Sequence, residues 1–168
     1  MTALRVLGRV LFVLVFGAAD AHGQMFVSTG ADTLRGLPGV EVIVDSLQPE
    51  LERGGLTNAA LRADVEARLR KGGITIYPSQ VANPSPAKAY LYISLNALTL
   101  PESAGYALGV QVHLRQTLRS PVTNSNIVNA MTWDIHNVLA VPASDLQSVR
   151  AEVLTFIDQF VADWTRVH

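Results

Sequence analysis

The sequence contains no cysteine, and that absence removes several chemistries together. It excludes disulfides, thiolate metal sites, a cysteine nucleophile and the acylated cysteine of a bacterial lipoprotein. Charge is also scarce: charged residues make up 16% of the chain and the formal net charge is −1, so no broad field draws in nucleic acid. No apolar run approaches the ~20 residues that a permanent membrane span needs. There is no internal repeat, no low-complexity tract and no linker between two cores. The 168 residues suffice for one domain with a real core.

What is present begins at the N-terminus. Arg5 and Arg9 precede the apolar run Val10 to Phe16, and Gly17, Ala18 and Ala19 follow it. Basic, apolar and small, in that order, is the layout of a secretory signal peptide. Cleavage is expected after Ala21 or Gly23, so residues 1–23 are assigned to the signal. There is no Arg-Arg pair, which favours the general secretory route. Membrane contact is expected only through this peptide, before its removal. Without Arg5, Arg9 and Asp20 the remainder has 11 basic and 13 acidic residues, a net charge of −2. An exported domain without disulfides is held by its core alone, which suits the periplasm or the secreted state.

Residues 24–36 are polar and unpatterned and read as a flexible lead; residues 37–168 read as a single α+β domain. After the turn Leu37-Pro38-Gly39, Val40 to Leu47 alternates as a first strand, with Glu41 and Asp45 facing away from the valines. Residues 48–55 read as a loop. The firmest element follows. Thr57 is a fit N-cap, Leu56 and Leu61 form a hydrophobic staple, and Leu61, Val65 and Leu69 share one helical face. Arg62, Glu66 and Arg70 share another, and Asp64 with Arg68 is a further i,i+4 pair. Arg68, Arg70 and Lys71 crowd the last turn, where the helix dipole favours cations. They read either as a site for an anionic partner or as a solvated helix face. Gly72-Gly73 ends the helix, and Ile74 to Tyr77 returns as a second strand beside the first.

Past a proline-rich loop at 78–88, three long strands are predicted. Tyr90 to Leu100 turns Leu91, Ile93, Leu95 and Ala97 inward. Tyr106 to Leu118 turns Tyr106, Leu108, Val110, Val112 and Leu114 inward. Ile127 to Val138 turns Ile127, Met131, Trp133 and Ile135 inward. Such alternation suits an antiparallel sheet covered on one face. Ser144 and Gln147 read as the capping box of a last helix. Its stripe of Leu146, Val149, Val153, Phe156, Ile157, Phe160, Trp164 and Val167 belongs on the inner face of the sheet. The fold class is therefore α+β: a two-layer sandwich of a mostly antiparallel five-stranded sheet, element order β-α-β-β-β-β-α, with two helices on one face.

Several stretches together resemble a group of uncharacterised exported bacterial α+β proteins. They are Leu37-Pro38-Gly39-Val40, Gly55-Leu56-Thr57, Arg68-Leu69-Arg70-Lys71-Gly72-Gly73-Ile74, Ala89-Tyr90-Leu91-Tyr92-Ile93 and Ala130-Met131-Thr132-Trp133, with the C-terminal amphipathic helix. The element order also looks like that of the TolB N-terminal domain, of penicillin-binding-protein activator lipoproteins and of curli-secretion-type periplasmic domains. Those domains generally bind other envelope proteins, so the resemblance implies a non-enzymatic role. The lipidated cysteine that several of them carry is missing here.

No catalytic set converges in the sequence. There is no G-x-S-x-G elbow and no phosphate-binding glycine loop. Glu41 and Asp45 lie about 13 Å apart along one strand, beyond glycosidase carboxyl spacing. For a metal the candidates are His113, His136, Asp134 and His168. A hairpin turn at 120–125 gives pairs whose numbers sum to about 245, so His113 should face Thr132. His136 would then lie about 13 Å further along, too far to share a zinc ion. No cofactor and no metal are expected. What remains is the outer face: Tyr90, Tyr92, Asn96, Gln111, His113, Arg115, Asp134 and His136. Read as a recognition surface, it makes the protein an envelope accessory that binds another envelope protein, or itself through a sheet edge. Read as a site, it makes a small hydrolase or a small-ligand binder. An apolar ligand between helices and sheet is a third reading.

Overall fold

The computed structural model describes residues 28–79, 85–101 and 104–168. The expected signal peptide, and residues 24–27 of the expected lead, lie outside them. Strands β1 (Val40–Val44), β2 (Ile76–Tyr77), β3 (Tyr90–Leu100), β4 (Gly105–Arg119) and β5 (Asn126–Pro142) form one sheet in the order β2-β1-β3-β4-β5. β1 runs parallel to both of its neighbours, and β3, β4 and β5 form an antiparallel meander. Helices α1 (Pro49–Arg53), α2 (Asn58–Lys71) and α3 (Leu146–Val167) complete the α+β fold. Among the described residues no helix is long and apolar enough to cross a membrane.

α2 forms for the reasons its sequence supplies. The Thr57 hydroxyl accepts from the Ala60 amide at 3.2 Å, and Leu56, Leu61, Val65 and Leu69 are buried. Arg62 and Arg70 both pair with Glu66, at 2.9 and 2.6 Å. The expected Asp64–Arg68 pair does not form. Asp64 bonds Arg150 of α3 instead, and Arg68 reaches Asp158 of α3 at 3.2 Å. These charges join two helices rather than two turns of one. Gly73, at φ +78°, supplies the left-handed residue that ends α2.

Three local readings are corrected. Residues 48–55 are not all loop: Pro49 sits in the first helical turn of α1, and Leu51 is buried in the core. The cap of α3 is Asp145, whose carboxylate accepts from the Ser148 amide at 3.3 Å, in place of a Ser144–Gln147 box. Within the expected flexible lead, Ala31–Leu34 make a 3-10 turn with Leu34 fully buried, and Thr29 bridges to Asp134 of β5. Leu34 is the apolar anchor that an unpatterned stretch conceals. Gly30 allows the close approach: at φ +84°, a Cβ there would lie 1.8 Å from the Thr132 carbonyl oxygen.

All eight stripe residues of α3 are buried. Trp133 meets Phe160 edge-on at 4.9 Å and donates its indole N–H to Asp163 at 2.9 Å. Ser28 bonds the same carboxylate, so the N-terminal strap, β5 and α3 meet at one buried acid.

Candidate functional site

The outer face is the side of the sheet away from α2 and α3, and its layout follows from strand register. Tyr90 pairs with Arg115; Tyr92 pairs with His113, which pairs with Asp134; Gln111 pairs with His136; and Asn96 pairs with Gly109, which pairs with Val138. All eight residues singled out from the sequence therefore lie in neighbouring positions of one surface. The expected pairing of His113 with Thr132 is corrected. The β4–β5 register shifts between Leu114 and Arg115 and again between Gln116 and Leu118. Each bulge adds residues to β5, so the register near the turn does not persist along the hairpin. The shift at Thr132 turns Met131 to the outer face beside Arg115, against the expected inward placement, and Ile127, paired with Leu118 at the hairpin end, is about half exposed as Met131 is. Gln116 is instead drawn inward, donating to the Thr33 carbonyl and the Thr132 hydroxyl.

His113 is not the hydrated side chain its outward position suggests, since only 2% of it is exposed. Tyr92 stacks on it at 5.2 Å, and Arg115 lies 5.7 Å over the Tyr92 ring. Arg115 Nε donates to His113 Nε2 at 2.9 Å, so that nitrogen carries no proton and Nδ1 does. Burial, with the Arg115 charge added, holds the imidazole pKa below its usual range, while Asp134 acts in the opposite sense. His113 Nδ1 is buried and without a partner among the described residues. Burial pushes the Tyr92 hydroxyl pKa up, and so does its hydrogen bond to the Asp45 carboxylate.

Asp134 holds the second cluster. Its two oxygens take Gln111 Nε2 at 2.8 Å and His136 Nδ1 at 2.9 Å. The exposed His136 ring lies beside a shallow depression of about 290 Å3 lined also by Asn96, Gly109 and Val138. Among the described residues no group of three or more His, Asp or Glu side chains is placed to hold a metal ion. His168, the remaining metal candidate, stacks on Trp164 at 4.2 Å and bonds the Leu37 carbonyl, far from the outer face in its role.

Sequence reasoning missed the apolar part of this surface. Leu98, Leu118, Val122, Ile127, Val128, Met131 and Val138 are the large exposed apolar residues among those described, and all lie on β3, β4, β5 or the β4–β5 turn. A signal was present in Asn129: asparagine tolerates a left-handed backbone, and its φ of +61° falls at the register shift between Ile127 and Ala130. β5 is also an edge strand. Thr29 exchanges both backbone hydrogen bonds with Asp134, at 3.1 and 3.3 Å, so even-numbered residues here point their backbone outward. Beyond Asp134, the outward N–H of Val138 is met among the described residues by the Asn137 side chain alone, at 2.8 Å.

No family model and no curated protein matches this chain. Among solved structures, a point variant of the PelC dodecamer from Paraburkholderia phytofirmans is similar at a TM-score of 0.47 and 16% identity, over 81% of this chain and 96% of that one. The PelC dodecamer from the same organism is similar at 0.46 and 17%, over 81% and 95%.

Proposed function

We propose that this chain is an exported, non-enzymatic accessory protein of the bacterial envelope, acting in the periplasm or secreted, and that it works by binding another protein. The partner adds a strand to the open edge of β5 between His136 and Ala140 and rests on the polar outer face beside it. One observation carries this reading: the large exposed apolar residues among those described gather on β3, β4, β5 and their turn, and none sits on a helix. An edge strand without lysine or a bulge over this half invites pairing. The secretory layout of residues 1–23 supports the location.

Val138→Pro tests it, because the proline removes an edge N–H that the β4 ladder does not use. Cross-linking in intact envelopes is expected to trap a specific adduct with the parent chain and with Val138→Thr. Val138→Pro is expected to lose the adduct while melting as the parent does. An adduct that survives Val138→Pro, or none with any chain, refutes the edge.

A hydrolase or small-ligand reading draws support from one arrangement, the Asp134–His136 pair beside the Gly109 depression. Loss of a measured turnover in a folded His136→Gln variant would favour it.

A further inference from the structure

We propose that the bulged end of the β4–β5 hairpin holds a binding site for a small organic oxyanion, a carboxylate or a phosphate monoester, centred on Lys88. The partner edge described above plays no part in it.

Charge is distributed unevenly in this molecule. Every arginine of α1, α2 and α3 pairs with a carboxylate: Arg53 with Glu50, Arg62 and Arg70 with Glu66, Arg68 with Asp158, Arg150 with Asp64, and Arg166 with Asp163. At the hairpin end the pairing stops. Two cavities, of about 370 and 480 Å3, share Pro86, Gln116 and Thr117 as a common wall. Lys88 lines the smaller one, Arg35 and Arg119 line the larger, and no carboxylate lines either. Lys88 has no ion pair among the described residues. Arg119 donates to the Asn124 side chain, and Arg35 approaches Asp32 only at 3.9 Å. On a chain with net charge −1 this is a local excess of cations.

The backbone supplies a second, separate observation. Four non-glycine residues among those described have positive φ, and two of them, Lys88 at +45° and Asn129 at +61°, line the smaller cavity. Asparagine accepts that conformation; lysine has no side-chain reason to. Lys88 is held in it from both sides. Its own N–H bonds Ser85, the Ala87 carbonyl accepts from Thr117, and the Ala89 carbonyl accepts from Glu41. Backbone strain that the surroundings fix in this way gathers at ligand sites.

The lining states the chemistry. An ammonium is a compact charge suited to an oxyanion. Thr117 and Asn126 offer neutral polar groups, and Pro86 and Val128 offer apolar contact to an organic remainder. The volume falls in the range of small-molecule sites.

Calorimetric titration with citrate and with glycerol 3-phosphate, at low ionic strength, tests the proposal. Saturable binding of one probe with a raised melting temperature is expected, and the probe that binds tells carboxylate from phosphate. Lys88→Gly relieves the left-handed strain, so it should melt higher than the parent yet bind about tenfold more weakly or worse. Lys88→Met removes only the charge and should also lose binding. Lys71→Met, at an exposed lysine on α2, should change nothing. The proposal is overturned if neither probe binds saturably, if Lys88→Gly or Lys88→Met binds as tightly as the parent, or if Lys71→Met loses as much.

Discussion

Two aromatic pairs lie on opposite faces of one sheet at nearly the same separation. On the inner face Trp133 meets Phe160 at 4.9 Å, and on the outer face Tyr92 meets His113 at 5.2 Å. The inner pair lies under α3, and its one polar atom is satisfied by Asp163. No helix lies over the outer pair. His113 is covered by the long side chains of its neighbours and keeps an unpartnered Nδ1. The inner face is thus built from groups that are all satisfied, as stability requires. The outer face keeps polar and apolar groups within reach of solvent.

Removing α3 should break that comparison with the largest effect. Its eight buried apolar residues contribute about 1.5–3 kcal/mol each, a sum as large as or larger than the roughly 5–15 kcal/mol by which a domain is stable. A chain ending before Ser144 is expected to show no cooperative thermal melt; a sharp melt would mean that the inner face does not depend on the helix. Asp163→Asn probes the same face more gently and should cost about 1–3 kcal/mol at neutral pH. Burial alone would raise the pKa of this acid, but bonds from Ser28, Trp133, Arg166 and Gln159 hold it below 3.8. A carboxylate depressed in the folded state contributes stability that is present above its unfolded value and lost as pH falls through the folded one. Melting temperature followed below pH 4 should therefore fall less steeply in Asp163→Asn than in the parent, as about one fewer depressed carboxylate titrates. Parallel curves would remove Asp163 from the acid limb.

The smallest effect belongs to the outer face. His113 has its pKa depressed below 6.5 by burial and by Arg115. Its neutral form is favoured by folding, so stability is greatest above 6.5 and declines as pH drops through the lower folded value. His113→Gln should flatten this modest decline, read from melting curves at successive pH values. An unchanged slope would mean that the outer pair is as free of electrostatic conflict as the inner one.

Much of the inner face was readable because it is periodic. Leu61, Val65 and Leu69, and the whole stripe of α3, recur at helical spacing, and their burial follows from that spacing alone. The inward residues of β3 and most of those of β4 follow from alternation. Where a contact depends on two distant segments, no local period records it. Thr132 is displaced into a bulge where Gln116 reaches it and Gly30 packs on its carbonyl. That shift reverses the direction of Met131 and, together with the second shift nearer the turn, changes the partner of His113. The cap of α3 moved by one residue because Ser144 and Asp145 are adjacent candidates of nearly equal merit. All eight outer-face residues could be placed together, but the burial of His113 could not, since it arises from Tyr92 stacking across the register.

The bond between Ser28 and Asp163 joins positions 135 apart in sequence. A chain that emerges from a ribosome amino end first must therefore wait for nearly its last residues before Ser28 can make this bond. Contacts of such long range slow folding. Thr29 caps the β5 edge at Asp134, and before it docks that stretch of edge is open to pairing between copies.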